Sequence, residues 1–63
     1  MNINVGDLVL ENFEGVGLVM TDPYVYKNST GMALDYDVVL VKFLSGDTFE
    51  VDCDELKVIS ASR

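Results

Sequence analysis

One thiol, a run of carboxylates and three tyrosines are the residues of this 63-residue chain with chemistry to offer, and there is no histidine. Cys53 sits between Asp52 and Asp54. A cysteine becomes a nucleophile when a base or a nearby positive charge lowers its pKa, and flanking carboxylates act the other way. Cys53 therefore reads as a small buried apolar residue near a strand end. Asp47, Glu50, Asp52, Asp54 and Glu55 put five acids into nine residues with no basic residue among them. Asp52, Asp54 and Glu55 carry the oxygen ligands that Ca²⁺ or Mg²⁺ take. The glycine at the sixth position and glutamate at the twelfth that an EF-hand loop needs are missing. A solvated polar face is the simpler reading. Together with Asp35 and Asp37 the cluster also has the charge to imitate the phosphates of a nucleic acid. No nucleophile–base spacing, phosphate-cradling glycine loop or HExxH occurs, so no enzymatic activity, cofactor or metal is expected.

The overall charge selects among partners. Eleven carboxylates stand against Lys27, Lys42, Lys57 and Arg63, for a net charge of −7. Nucleic-acid binding requires a cluster of Lys and Arg to neutralise phosphates, and four scattered cations do not form one. Direct contact with DNA, RNA or an anionic membrane surface is thus disfavoured. Basic protein surfaces are favoured instead. No apolar run approaches the ~20 residues that span a bilayer. Met1-Asn2-Ile3-Asn4 leads straight into the first strand without a basic leader region, and with the lone thiol this predicts a cytoplasmic, reducing compartment. Asn28-Ser29-Thr30 matches a glycosylation acceptor and is read as turn chemistry.

Sixty-three residues make one domain, covering 1–63. A chain this short buries only about 60% of the surface its unfolded form exposes, and small domains commonly add disulfides, metals or association. A single cysteine and no histidine leave association, with a second copy or a protein partner. The hydrophobic fraction of 49% is ample for a packed core.

The elements that must position these residues are strands. Gly-containing turns separate short apolar runs, and no helix-length amphipathic stretch occurs. Strands are predicted over residues 7–12, 17–21, 36–43, 48–52 and 57–59, with one tight helical turn over 53–56 and a frayed tail over 60–63. Pro23 cannot donate to a ladder, and Asn28-Ser29-Thr30-Gly31 is a concentrated turn signal, so residues 22–35 form a long hairpin tip. In the 36–43 strand, Val39, Val41 and Phe43 share one face. Tyr36, Val38, Leu40 and Lys42 share the other, which is also largely apolar although an outward face should be polar. The hairpin tip with Tyr24, Tyr26 and Met32, a second copy of the chain, or a partner must cover it.

These residues resemble a family. Gly6-Asp7-x-Val9, Gly15-x-Gly17-x-Val19, Val39-x-Val41-x-Phe43, Gly46, and Leu56 with Ile59 are similar to the pattern of SH3-like or Tudor-like small barrels. Within these barrels the pattern resembles the C-terminal Tudor domains of UvrD-type helicases and the RNA-polymerase-interacting domain of CarD-type regulators. The resemblance spans residues 5–59 and implies an all-β SH3-like barrel of about five antiparallel strands with one long hairpin. It also implies two modes of contact: pairing of an exposed edge strand with a partner, as CarD-type domains do, or an aromatic cage for a methylated cation built from Tyr24, Tyr26 and Tyr36 near Asp22, Asp35 and Asp37. The alternative for the tyrosines is that they pack the hairpin onto the sheet. CarD-type proteins carry a second, DNA-binding helical domain, for which these 63 residues offer no matching segment. Size and acidity are also similar to small barrel proteins of tailed bacteriophages, which implies the host-cell cytoplasm.

The function expected is a non-enzymatic protein-interaction module that contacts its partner or itself through Tyr24, Tyr26, Tyr36, Val38 and Leu40 within a rim of carboxylates. The alternative is an acidic regulator or nucleic-acid mimic that binds a nucleic-acid-processing protein such as RNA polymerase.

Overall fold

A computed structural model describes residues 3–62. Along the chain run β1 (Leu8–Glu11), β2 (Gly15–Val19), β3 (Tyr24–Lys27), β4 (Ala33–Phe43), β5 (Thr48–Asp52), a single 3₁₀ turn (Cys53–Glu55) and β6 (Lys57–Ser60). All pairings are antiparallel, and the sheet curls into a half-barrel compatible with an SH3-like fold. Among the described residues no helix is long and apolar enough to cross a membrane.

β4 organises the sheet. Its eleven residues pair with β3 at their start, with β2 at their end, and with β5 along the opposite edge. From β2 the order continues through β1 to β6, while β5 pairs with β4 alone. The predicted 36–43 strand begins three residues earlier, at Ala33, and the predicted hairpin tip contains a strand of its own, Tyr24–Lys27. The reason is local. Asn28 Oδ1 accepts hydrogen bonds from the Thr30 and Met32 backbone N–H groups, each at 3.0 Å, and from the Thr30 hydroxyl at 2.7 Å. This side-chain-nucleated turn brings Lys27 opposite Ala33 and lets the Tyr-Val-Tyr-Lys alternation zip onto β4.

The first hairpin is tighter than predicted. Glu11 pairs with Gly15, so only Asn12, Phe13 and Glu14 form the loop, and β2 starts at Gly15 where residue 17 was expected. Gly15 has φ +88°, the left-handed position that ends a three-residue hairpin loop. The tail also differs from expectation. Ser60 belongs to β6, and the Ser62 backbone N–H donates to Asp7 Oδ1 at 2.8 Å, so the chain is pinned where fraying was predicted. Arg63, the last residue of that predicted tail, lies outside the described residues.

The concave side of the sheet holds the core. Ile3, Val9, Val19, Val39, Val41, Phe43 and Leu56 form one buried cluster, with Val51, Cys53 and Val58 packed against it. Val39, Val41 and Phe43 thus share the inward face as their parity requires.

Candidate functional site

Residues directly opposite in an antiparallel ladder point to the same side of the sheet. The register Tyr24↔Val38, Leu40↔Glu50 and Val38↔Asp52 therefore collects these side chains on the convex face. Tyr26 and Tyr36 stack there, ring centroids 5.3 Å apart and planes 13° from parallel. Four of the five residues singled out from the sequence are at least partly accessible. Val38 is not: it is only 2% exposed and cannot itself touch a partner. Tyr24 explains its burial. The Tyr24 hydroxyl donates to Glu50 Oε2 on β5, two strands away from its own, so the ring must cross β4 over Val38. The hairpin covers part of the second apolar face as one of the three predicted options required, but Met32 takes no part and stays 64% exposed.

The same hydrogen bond sets the acidity of Tyr24. Glu50 accepts from the neutral phenol, and partial burial and the Glu50 charge add to the effect, so the Tyr24 pKa rises to about 12. A raised pKa favours the protonated, folded form. The stabilisation is complete below the ordinary tyrosine pKa of about 10 and disappears as pH climbs to about 12. In a spectrophotometric titration, one of the three tyrosines should ionise near 12. Glu50→Gln should move that step down, and Tyr24→Phe should remove it. A titration unchanged by Glu50→Gln would contradict the hydrogen bond. The Tyr36 hydroxyl is pushed up as well, by burial first and then by Tyr26, Asp52 and Glu50.

An aromatic cage requires ring faces turned towards a common centre. Tyr26 and Tyr36 turn theirs towards each other, and Tyr24 is tied to Glu50. The three tyrosines form a flat cover in place of a cage.

The carboxylates divide by task. Asp52 Oδ1 caps the 3₁₀ turn by accepting from the Asp54 N–H at 2.9 Å. Asp35 and Asp37, distant in sequence, join Asp52 and Asp54 around a hollow of about 270 Å³ beside Pro23 and Cys53. Among the described residues no group of three or more His, Cys, Asp or Glu is arranged to hold a metal ion. Burial, followed by the charges of Asp37, Asp52 and Asp54, pushes the Cys53 thiol up, away from the reactive thiolate.

Sequence reasoning passed over much of the convex face. Leu8 pairs with Leu18, Leu10 lies beyond Leu8 on β1, and Met20 donates its N–H to the Leu40 carbonyl. Leu8, Leu10, Leu18 and Met20 are each between 38% and 46% exposed, so the apolar surface runs from β1 through Leu40 to the tyrosines. The signal was present in Leu8-Val9-Leu10 and Leu18-Val19-Met20, where both alternating sets are apolar. Only one of the two can face a single core.

No family profile, curated protein or solved structure matches this chain. The fold and the surface define its class: a small antiparallel half-barrel compatible with an SH3-like architecture, apolar on its convex side.

Proposed function

We propose that the protein is a non-enzymatic interaction module that associates through its convex face, either with a second copy or with another protein. One observation carries this reading: the continuous outward apolar surface from Leu8 and Leu18 through Met20 and Leu40 to Tyr26 and Tyr36. Single exposed apolar residues need no explanation, but a contiguous patch does. Tyrosines suit such a contact because their rings supply area while their hydroxyls stay wet. Val38 serves as the floor beneath Tyr24. The resemblance to Tudor-like, CarD-type and phage barrels supports a binding role, with the host cytoplasm as setting for the last of these.

The test is solution mass over a concentration series, by sedimentation or light scattering, followed by capture of partners from lysate. Changing Tyr26 and Leu40 together to Ser should abolish the association seen. If both self-association and capture survive that change, the convex face is not the contact surface.

A second reading has its own support. Asp35, Asp37, Asp52 and Asp54 converge around one hollow, which suits an acidic regulator or nucleic-acid mimic directed at a nucleic-acid-processing protein. Salt separates the two, since exposed charges are screened beyond about 8 Å at physiological ionic strength. A mimic loses its partner steeply as salt rises, whereas an apolar contact persists.

A further inference from the structure

A second hollow, of about 380 Å³, opens between the β1–β2 turn and β5, away from the tyrosines. Its floor is aromatic: Phe43 and Phe49 meet with centroids 6.2 Å apart and planes tilted by 46°. Phe13, at the tip of the turn, forms one wall and is 91% exposed. Its position is not left to chance. Glu11 Oε1 accepts from the backbone N–H groups of both Phe13 and Glu14, at 2.8 and 2.6 Å, and so fixes the turn that presents the ring.

Glu11 is itself only 9% exposed, yet it lines the hollow. Its second oxygen has no hydrogen-bond or ion-pair partner among the described residues. Glu14 stands beside it; Glu50 and Asp52 also line the hollow from β5, but their side chains turn to the convex face, where the Tyr24 hydroxyl and the Asp54 N–H engage one oxygen of each. Glu11 and Glu14 thus set two carboxylates beside an aromatic floor, and among the described residues no Lys or Arg lines the hollow.

This combination selects its occupant. An apolar side chain would fill the floor but desolvate the free oxygen of Glu11 and the Glu14 carboxylate, and a small hydrated cation would leave the phenyl rings unused. A guanidinium matches both, because it stacks on aromatic faces, is weakly hydrated and presents a planar fork of donors to carboxylates. Lysine's compact ammonium cannot stack in that way. We propose that this hollow receives an arginine side chain from a basic segment of a partner protein. The inference rests on the reading of the chain as a protein-binding module and gives that reading a partner chemistry on a second surface.

The test is a ¹H–¹⁵N titration of the full chain with a capped Gly-Ser peptide carrying one central arginine, beside the same peptide with norleucine. Saturable shifts are expected at the amides of Phe13, Glu14, Phe49 and Glu50 with the arginine peptide only. Phe13→Ala should weaken binding by about tenfold, the scale of a partly desolvated cation–ring contact. Because Phe13 is exposed, this variant should keep the parent's melting temperature. Tyr26→Ser should leave the titration unchanged. Equal shifts with norleucine, shifts that never saturate and survive Phe13→Ala, or no shifts at all would overturn the proposal. Failure here with convex-face association intact removes the arginine pocket alone; arginine binding with association insensitive to Tyr26 and Leu40 removes the convex-face reading alone.

Discussion

Gly17→Ala should destabilise this protein more than any other single-methyl change, by about 1–3 kcal/mol. Gly17 lies inside the curl of the sheet, opposite Val9 on β1 and Phe43 on β4. A Cβ built there would collide with Val41 Cγ1 and come within 2.9 Å of Phe43 Cδ1. Neither neighbour can give way to solvent, because Val41 is fully buried and Phe43 only 2% exposed. The sign is the informative part. Gly→Ala in a strand without such a clash reduces the freedom of the unfolded chain and stabilises by some tenths of a kcal/mol. For a domain of this size, a loss of about 1 kcal/mol lowers the melting temperature by about 4–8 °C. Thermal or urea unfolding of the single variant settles the point, and an unchanged or raised midpoint would mean that the sheet is less tightly curled at β2 than described.

Asp7→Ala should cost about 3 kcal/mol, on the scale of lost hydrogen bonds to a charged group plus the donors they leave unpaired. Asp7 is 1% exposed. Its Oδ2 accepts from the Asn4 N–H at 2.9 Å and its Oδ1 from the Ser62 N–H at 2.8 Å, so one carboxylate joins the segment before β1 to the segment after β6. Its own backbone carbonyl also accepts from the Val19 N–H at 2.9 Å, which sets it against the end of β2. Asp7→Asn keeps one carbonyl acceptor and should lose less than Asp7→Ala. Amide exchange offers a specific readout: the Asn4 and Ser62 amides should exchange faster in Asp7→Ala beyond what the global loss of stability explains. If both stay as protected as in the parent, the carboxylate is not what holds the two ends.

Asp7 also shows where reading the residues stops. As part of Gly6-Asp7-x-Val9 it belongs to the motif that resembles SH3-like barrels, but nothing local says that its second oxygen meets residue 62. That contact spans 55 positions and exists only because β6 returns beside β1. Phe13 and Phe49 are a similar case. Each looks like an isolated hydrophobic residue in an acidic stretch, and only the hairpin register and the pairing of β5 with β4 bring them to the same hollow. Val38 is the reverse. Parity put it correctly on the outward face, but parity is blind to a tyrosine reaching across from two strands away.

Local patterning alone determined the all-β class, the inward set of Val39, Val41 and Phe43, the β5 strand at Thr48–Asp52 and the turn after it. These follow from side-chain alternation and turn chemistry, which act over a few residues and are written in the order of the chain. The tertiary structure decided what covers the convex face, which carboxylates meet, and where an apolar surface remains open. Those outcomes depend on register and sheet curl, through which residues tens of positions apart come to share one side of the barrel.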